Sequence, residues 1–593
     1  GQQAHRNLTI LFLFFIPRRS SDLYTLGAVT ATGLQFVSDG YRLVGDALAL
    51  DGAINIIRVG DGSARGAGVQ AQLDVVLTGS GELVKTDHGR LVLGADSSGF
   101  AQDTTVREGA LQVNGRLGRH VRVDTGARLE GTGTVGSVTL AAGAVLAPGT
   151  AGGTLGTFIV DGDFIADGGE LAMDVVLAGD DAASDRLHIR GNSEGHARLR
   201  VNHVGGNGAQ TIDGIRLVEI EGQSNAHFEL AGRVVGGAYE YFLFNGSPRQ
   251  PEDGDWYLRS QVPRPGDPCL ADPSLPECEA PAPVLRAEPG TYLANRAAGV
   301  QMFGQRFQDR NGGTARGLSE RGAWARVSRS QANSGVIGDQ LSVNGDTDVL
   351  QLGADVFTWG EAGRGQLGVM LGSGRANNTV TSRLTGYSAK GKVEGQAIGI
   401  YGTWLQDPSA TTGLYLDAWA NHARFKNSVQ GDALNKERYD SKADSASIEA
   451  GYGVQVANGE RIAMFIEPQL QLSYTRFSAD THIETNGTVI DGSDADGLTS
   501  RVGVRFFGHA NTQVGNRVQP FVAVNWIHES SDNSLRFDGE RLSGGVPQDR
   551  YEAKVGASLQ LGGRWTAWGD LGLQRGDGGY RDVSGQMGVR TSW

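Results

Sequence analysis

No apolar run in this 593-residue chain approaches the ~18 residues of a membrane-spanning helix. If the protein crosses a membrane, strands must do it, because only helices and closed barrels satisfy their backbone polar groups in lipid. Basic charge is in short supply. Lys and Arg number 53 against 66 Asp and Glu, a formal net charge of -13, which argues against a nucleic-acid partner. Cysteine occurs only twice, as Cys269 and Cys278. Helical periodicity is scarce, and the scattered histidines and acids show no metal-ligand spacing.

Glycine, in contrast, is abundant at 90 residues, without a collagen period or accompanying proline. That suits many short strands joined by tight turns. In the last part of the chain, Gly322 to Trp593, the dominant signal has a period of two. Trp593, Thr591, Val589, Met587, Gly585 and Val583 share one face, while Ser592, Arg590, Gly588, Gln586 and Ser584 share the other. The same dyad runs through Ile466 to Tyr474, Thr499 to Phe506 and Tyr551 to Gln560. A soluble sandwich would bury charges or expose apolar side chains with this pattern; a membrane barrel turns the apolar face to lipid and the polar face to a wet lumen.

About twelve such segments of ~10 residues are expected, starting near Gly322, Asp348, Gly363, Glu394, Gly413, Ala446, Ile462, Leu498, Val518, Arg550, Arg564 and Asp582. The connections Gln331 to Asp346, Arg375 to Val393, Phe425 to Asp444, Phe477 to Asp496 and Ser530 to Asp549 read as long polar loops. Those near Gly360, Pro408, Asn458 and Gly562 read as short turns, the asymmetry of outer-membrane barrels.

Residues 1 to 23 carry a nine-residue apolar run, Leu8 to Ile16, without a strong basic region before it or a small-residue cleavage site after it. They are read as a fragment boundary rather than as part of the fold, with a signal peptide expected upstream. From Tyr24 to about Ser260 the pattern is short strands with glycine turns, such as Leu73 to Leu77, Leu91 to Gly94, Ala110 to Val113, Val121 to Val123, Val138 to Leu140 and Phe158 to Val160. Such spacing reads as coils of a solenoid. Gly191 to Gly195 fits G-x-S-x-G with His196 beside it, but no helix follows as a nucleophile elbow requires, so a glycine turn is the reading. No catalytic residue is assigned. Gln261 to Pro289 is rich in Pro, Asp and Glu and reads as an extended linker. Its two cysteines, this close together in a secreted context, suggest a small disulfide loop, with two free thiols as the alternative. Tyr292 to Arg310 is the one good helical stretch, with Leu293, Ala297, Val300 and Phe307 along one stripe and a length of ~28 Å.

Gly115 to Val123, Gly126 to Gly136 and Gly143 to Gly149 resemble the repeats near the end of autotransporter passengers, which form right-handed parallel β-helices. Ser184 to Leu187, Gly206 to Val218, Phe228 to Tyr241 and Trp256 to Ser260 resemble, in family order, the C-terminal segment of pertactin-like passengers. Linker, helix and barrel ending on Trp593 resemble the translocator of the same type V secretion family. The resemblance implies an all-β chain: residues 24–260 a passenger β-helix, with 153–260 a folding cap; 261–290 a linker; 291–312 a helix inside the lumen; 313–593 a twelve-stranded antiparallel transmembrane barrel. It places the barrel in the outer membrane of a Gram-negative bacterium and the passenger at the cell surface or secreted.

It implies that Arg326, Glu449, Glu467, Arg501, Arg505 and Arg590 face the lumen helix or lumen water. Val589, Thr591 and Trp593 become the assembly signal read by the barrel-insertion machinery. Outer-membrane lipid, periplasmic chaperones and host surface or matrix proteins are the implied partners. No cofactor or metal is expected, and the role is adhesion or virulence rather than catalysis. An open transport channel and a barrel delivering an enzyme encoded upstream are the rival readings. No Asn-Asn pair of the kind some autotransporters cleave occurs in Tyr292 to Arg310. Finally, Arg575-Gly576-Asp577 precedes the last strand; the strand count places it outside, and the tripeptide is one that some integrins read.

Overall fold

A computed structural model describes residues 23–150, 153–262, 283–313, 321–360, 364–407, 411–460, 462–492, 495–510, 517–531, 533–561 and 564–593. The apolar run Leu8 to Ile16 and the proposed Cys269–Cys278 pair lie outside these residues. The chain divides into two compact units, Gly1–Val284 and Leu285–Trp593.

The first unit is a stack of parallel coils. One inward position per coil pairs directly with its equivalent in the next: Leu91 with Leu111, Leu111 with Leu129, Leu129 with Leu146, Leu146 with Leu171 and Leu171 with Leu199. All six leucines are fully buried, and each burial stabilises by roughly 2 kcal/mol. This ladder is why short strands suffice: no coil has a core of its own, and each closes its neighbour's. Ala110–Val113, Val121–Val123 and Val138–Leu140 are strands with the expected bounds. Leu73 to Leu77 is not one strand, because the chain turns between Gln70–Leu73 and Leu77–Gly79. Leu73, Val75 and Leu77 are all buried around that corner, so the alternation there records the inside of a bend.

One inward position is a cation. Lys85 pairs with Ile57 and Val106 on the adjoining coils and is fully buried. Its ammonium donates to the carbonyls of Asp87, Gly89 and Glu108 at 2.5, 2.5 and 2.9 Å, and burial pushes its pKa down to about 8.

The stack ends by a change of strand direction. Tyr239–Asn245 and Trp256–Arg259 pair antiparallel, and Trp256–Arg259 pairs antiparallel with Ile215–Ile220. Trp256 packs edge-on against Phe228 at 5.2 Å, and Arg233 and Glu240 form a buried pair at 2.7 Å. A hairpin of this kind covers the last coil and interrupts the parallel stacking. The Gly191 to Gly195 motif bends at Gly191, between the strands Arg186–Ile189 and Ser193–Gly205, and the Ser193 hydroxyl is buried and accepts from the Ala226 amide at 3.3 Å.

The second unit is a closed antiparallel barrel of twelve strands. They are β1 (Gly322–Val336), β2 (Leu341–Trp359), β3 (Arg364–Ser382), β4 (Ser388–Leu405), β5 (Gly413–Gly431), β6 (Lys436–Asn458), β7 (Ile462–Ala479), β8 (Ala495–Ala510), β9 (Arg517–Glu529), β10 (Asp549–Leu561), β11 (Trp565–Gly576) and β12 (Arg581–Ser592). β1 closes on β12 with Gly322 opposite Ser592. Three of the expected loops are mostly strand. Gln331 to Asp346, Arg375 to Val393 and Phe425 to Asp444 extend β1 to β6 as paired hairpins, so β2, β4 and β6 start earlier than Asp348, Glu394 and Ala446.

The reason is a phase reversal within single strands. In the lower part of β2, Leu350 and Leu352 point outward and Gln351 inward; in its upper part Leu341, Val343 and Val349 are the buried residues and Asn344 and Asp348 the exposed ones. Apolar side chains face lipid below and face the bore above. The other two expected loops contribute His482–Ile483, Val489–Asp491, Ser534–Phe537 and Glu540–Ser543, which join into a four-stranded sheet.

Candidate functional site: the occupied bore

Among the described residues, two helices lie inside the barrel, α1 (Glu288–Gln301) and α2 (Phe307–Asn311). The continuous helix expected over Tyr292 to Arg310 is therefore broken, and the wall supplies the reason. The carbonyls of Phe303, Gly304 and Gln305, which a longer helix would use internally, accept instead from Gln351 at 3.4 Å, Arg326 at 3.0 Å, and Trp419 and Gln471 at 3.0 and 2.9 Å. Asp309 then caps the Arg306 amide at 2.9 Å, and Gly312, at φ 63°, ends α2 in the left-handed region. Nor is α1 apolar on one stripe only. Glu288, Tyr292, Leu293, Asn295, Arg296 and Gly299 are all buried, as expected for a helix surrounded by wall.

The upper bore is apolar around α1. Met302 and Phe303 pack with Val349, Ala376, Val393, Phe425 and Phe477, while Ala287 packs with Val336, Leu341, Val343 and Val380. A Cβ on Gly290 would meet Val380 at 2.8 Å, so only glycine lets helix and wall approach this closely. The four-stranded sheet roofs this region. Phe537 and Tyr439 pack on Tyr292 at 5.9 and 5.3 Å, Arg286 pairs with Glu484 at 2.5 Å in a fully buried contact, and Asn533 donates to the Leu293 carbonyl at 3.1 Å.

Below the break the bore is polar, and charges meet across it. Arg310 of α2 pairs with Asp417 and lies over the Tyr401 ring, Arg306 reaches Glu552 at 2.7 Å, and Asp309 meets Arg326 at 3.3 Å and Gln586 at 2.6 Å. Of the six sequence-assigned lumen residues, all are buried. Arg501 pairs with Glu449 at 3.0 Å, and Glu449 accepts from the Phe307 amide at 3.1 Å. Glu467 accepts from Gln308 at 3.0 Å. Arg505 stacks on Phe507 and Phe521 at 4.7 and 4.6 Å. Arg590 pairs with Asp355. Sequence reading missed Asp355 and Asp417, each an inward acid at an alternation position, a signal open to the same count, and left Glu552, on the polar phase of Tyr551 to Gln560, out of the named lumen set. A residual cavity of about 330 Å³ beside the break, lined by Arg306, Asp309, Lys554 and Asp582 among others, is what remains of the bore here.

Outward, an apolar band encircles the barrel. On β10 it runs from Tyr551 to Leu561, and at ~3.3 Å per residue and ~40° of tilt this covers ~25 Å, the height of an outer-membrane band. Trp359, Tyr452, Trp565 and Trp593 are exposed toward one edge, and Tyr474, Trp526 and Tyr551 toward the other. Val589 is also exposed and Thr591 half-buried, on the same outward face as Trp593. No helix among the described residues is long and apolar enough to cross a membrane.

The ends of the bore are distinct. Leu285 at the start of α1 is bonded to Gln340 in the β1–β2 turn, whereas Gly312 lies against Trp568 and Ser558 at the other end. Gly335 beside the β1–β2 turn donates to Gly578 at 3.1 Å, so Arg575-Gly576-Asp577 sits on the same rim as the start of α1. Asp577 is exposed there.

Residues 323–572 match the autotransporter beta-domain family, and residues 133–243 match the Autochaperone Domain Type 1 family. The uncharacterized protein YdeU of Escherichia coli K12 is 31% identical over 460 residues, 73% of this chain and 97% of YdeU. The autotransporter adhesin AIDA-I of Escherichia coli is 27% identical over 72% of this chain, which spans 33% of AIDA-I. The crystal structure of the AIDA-I transport unit is similar over 52% of this chain and 99% of that chain, with 25% identity and a TM-score of 0.48. A closed twelve-stranded barrel with helices in its bore, joined to a stack of parallel coils, belongs to a protein that presents its own passenger at the surface of a Gram-negative bacterium, and the chain is a member of the autotransporter family.

Proposed function

We propose that the passenger acts as an adhesin, binding host surface or matrix proteins without catalysis. The observation that carries this reading is the coil stack itself: its inward positions form an apolar leucine ladder, and the one G-x-S-x-G serine is turned into the core. AIDA-I, to which this chain is similar, is named an adhesin. Periplasmic chaperones and the barrel-insertion machinery assist assembly, and Val589, Thr591 and Trp593 form the signal that the machinery reads.

The test is to display the full chain on a non-adherent Gram-negative host and measure attachment to epithelial cells and immobilised matrix proteins. Attachment well above a host displaying the barrel alone supports the reading. Equal attachment, or an esterase or protease activity that disappears in Ser193→Ala, overturns it.

A further inference from the structure

The outward wall of β3 to β7 changes character abruptly at the upper edge of the apolar band. Leu371 and Ile398, opposite each other on β3 and β4, are 58% and 62% exposed. Ile398 in turn stands opposite His422 on β5. Arg424 follows two residues above His422, about 7 Å along the strand. Directly opposite Arg424, on β6, is Lys442.

Two like charges facing each other across a strand pair repel and are destabilising. Natural sheets place an acid at such a position, and the surroundings here do so elsewhere: Lys426 stands between Glu394 and Asp440, and Arg375 between Asp348 and Glu394. Asp440 faces Lys426, and three other nearby acids have closer partners than Arg424 or Lys442. Glu394 holds Lys392 at 2.5 Å, Asp348 holds Arg329 at 3.5 Å, and Asp444 holds His422 at 2.7 Å. Among the described residues, Arg424, Lys426 and Lys442 form no ion pair within 4.0 Å; the Arg424 guanidinium reaches only the His422 ring, at 3.3 Å. All three side chains are exposed. The opposite wall meets the same edge with Trp526, Tyr551 and Asp549 instead.

We propose that Arg424 and Lys442 form a binding site for a phosphorylated glycolipid headgroup of the outer leaflet, lipid A. The headgroup phosphates supply the anion missing between Arg424 and Lys442, and the acyl chains lie along Leu371 and Ile398 immediately below. The site is on the rim where α1 begins, the outward-facing rim of an autotransporter, and so faces the leaflet that carries this lipid. Guanidinium and ammonium groups side by side suit phosphate oxygens, the first through paired donors and the second as a point charge.

The full chain, folded in detergent and checked for heat-modifiable migration, is titrated with bisphosphoryl lipid A and the bound lipid quantified by native mass spectrometry. At about fivefold per neutralised cation, R424Q and K442Q each weaken binding about fivefold, and R424Q/K442Q on the order of twentyfold. Arg564→Gln, an exposed cation beside the start of β11 at the other edge of the apolar band, binds as the parent does. Unchanged affinity in the double variant overturns the proposal, as does equal affinity of the parent for dephosphorylated lipid A or for phosphatidylglycerol. Displacement of lipid A by inorganic phosphate at comparable concentration overturns it too, since the site would then be one for free phosphate.

Discussion

Arg310 and Asp417 carry the sharpest residue-scale test of the bore. Both side chains are fully buried and face each other across the lumen, where removing one partner leaves a charge without compensation. Arg310→Met should cost about 3–5 kcal/mol, read as a fall in the temperature at which the folded barrel loses its heat-modifiable band. Arg310→Met combined with Asp417→Leu should recover much of that loss, and a double variant as weak as the single would contradict the pairing.

Asp185 offers a second test, in the passenger. Its carboxylate accepts from the Gly156 and Asp174 amides at 2.9 Å each, and burial pushes its pKa up to about 6 from 3.8. A folded-state pKa above the unfolded one means that the folded passenger binds the proton more tightly. Its contribution is therefore fully present below about pH 4 and lost as pH rises through about 6. Asp185→Asn should remove this pH dependence from the passenger's thermal midpoint between pH 4 and 7. It should also destabilise by about 1–3 kcal/mol, since an amide cannot accept both N–H groups.

At the scale of elements, the broken helix and the last strand each make a distinct claim. With α1 filling the upper bore and α2 the lower, a chain lacking residues 290–312 should conduct ions as an open pore while the full chain conducts little; equal conductance in planar bilayers would mean the helices do not block the path. The outward face of β12 ends on Trp593, 61% exposed at the edge of the apolar band. Deleting Trp593 should sharply reduce membrane-inserted barrel, because the terminal aromatic is part of the proposed assembly signal, and undiminished insertion would refute that role. The hairpins read as loops also belong here. Above the band β1 to β6 keep strand pairing with charged residues outside, because the α1 helix gives their inner faces an apolar partner, as Leu341, Val380 and Phe425 show.

For the whole molecule, the antiparallel end of the coil stack decides whether the passenger persists once outside. Removing 153–260 should leave a normally inserted barrel but a passenger degraded by external protease, since the leucine ladder through Leu146 and Leu171 would end on an open coil. A protease-resistant surface passenger without the segment would show that the coils need no cap.

Period-two alternation by itself determined the barrel and its strand number, and it put Glu467, Arg501, Arg505 and Arg590 on the polar phase, because a strand's side-chain period is fixed by backbone geometry. Glycine turns and recurring short strands likewise made the solenoid legible. Tertiary structure alone decided the rest. Whether a strand continues past the lipid depends on what its inner face meets, so the phase reversal in β2 could not be read without α1 in place. The helix breaks at Phe303 to Gln305 because Gln351, Arg326, Trp419 and Gln471 converge there from four different strands. The opposition of Arg424 and Lys442 is likewise a product of register: the residues are adjacent only because the β5–β6 hairpin stays paired far above its expected end, and no spacing along the chain encodes that by itself.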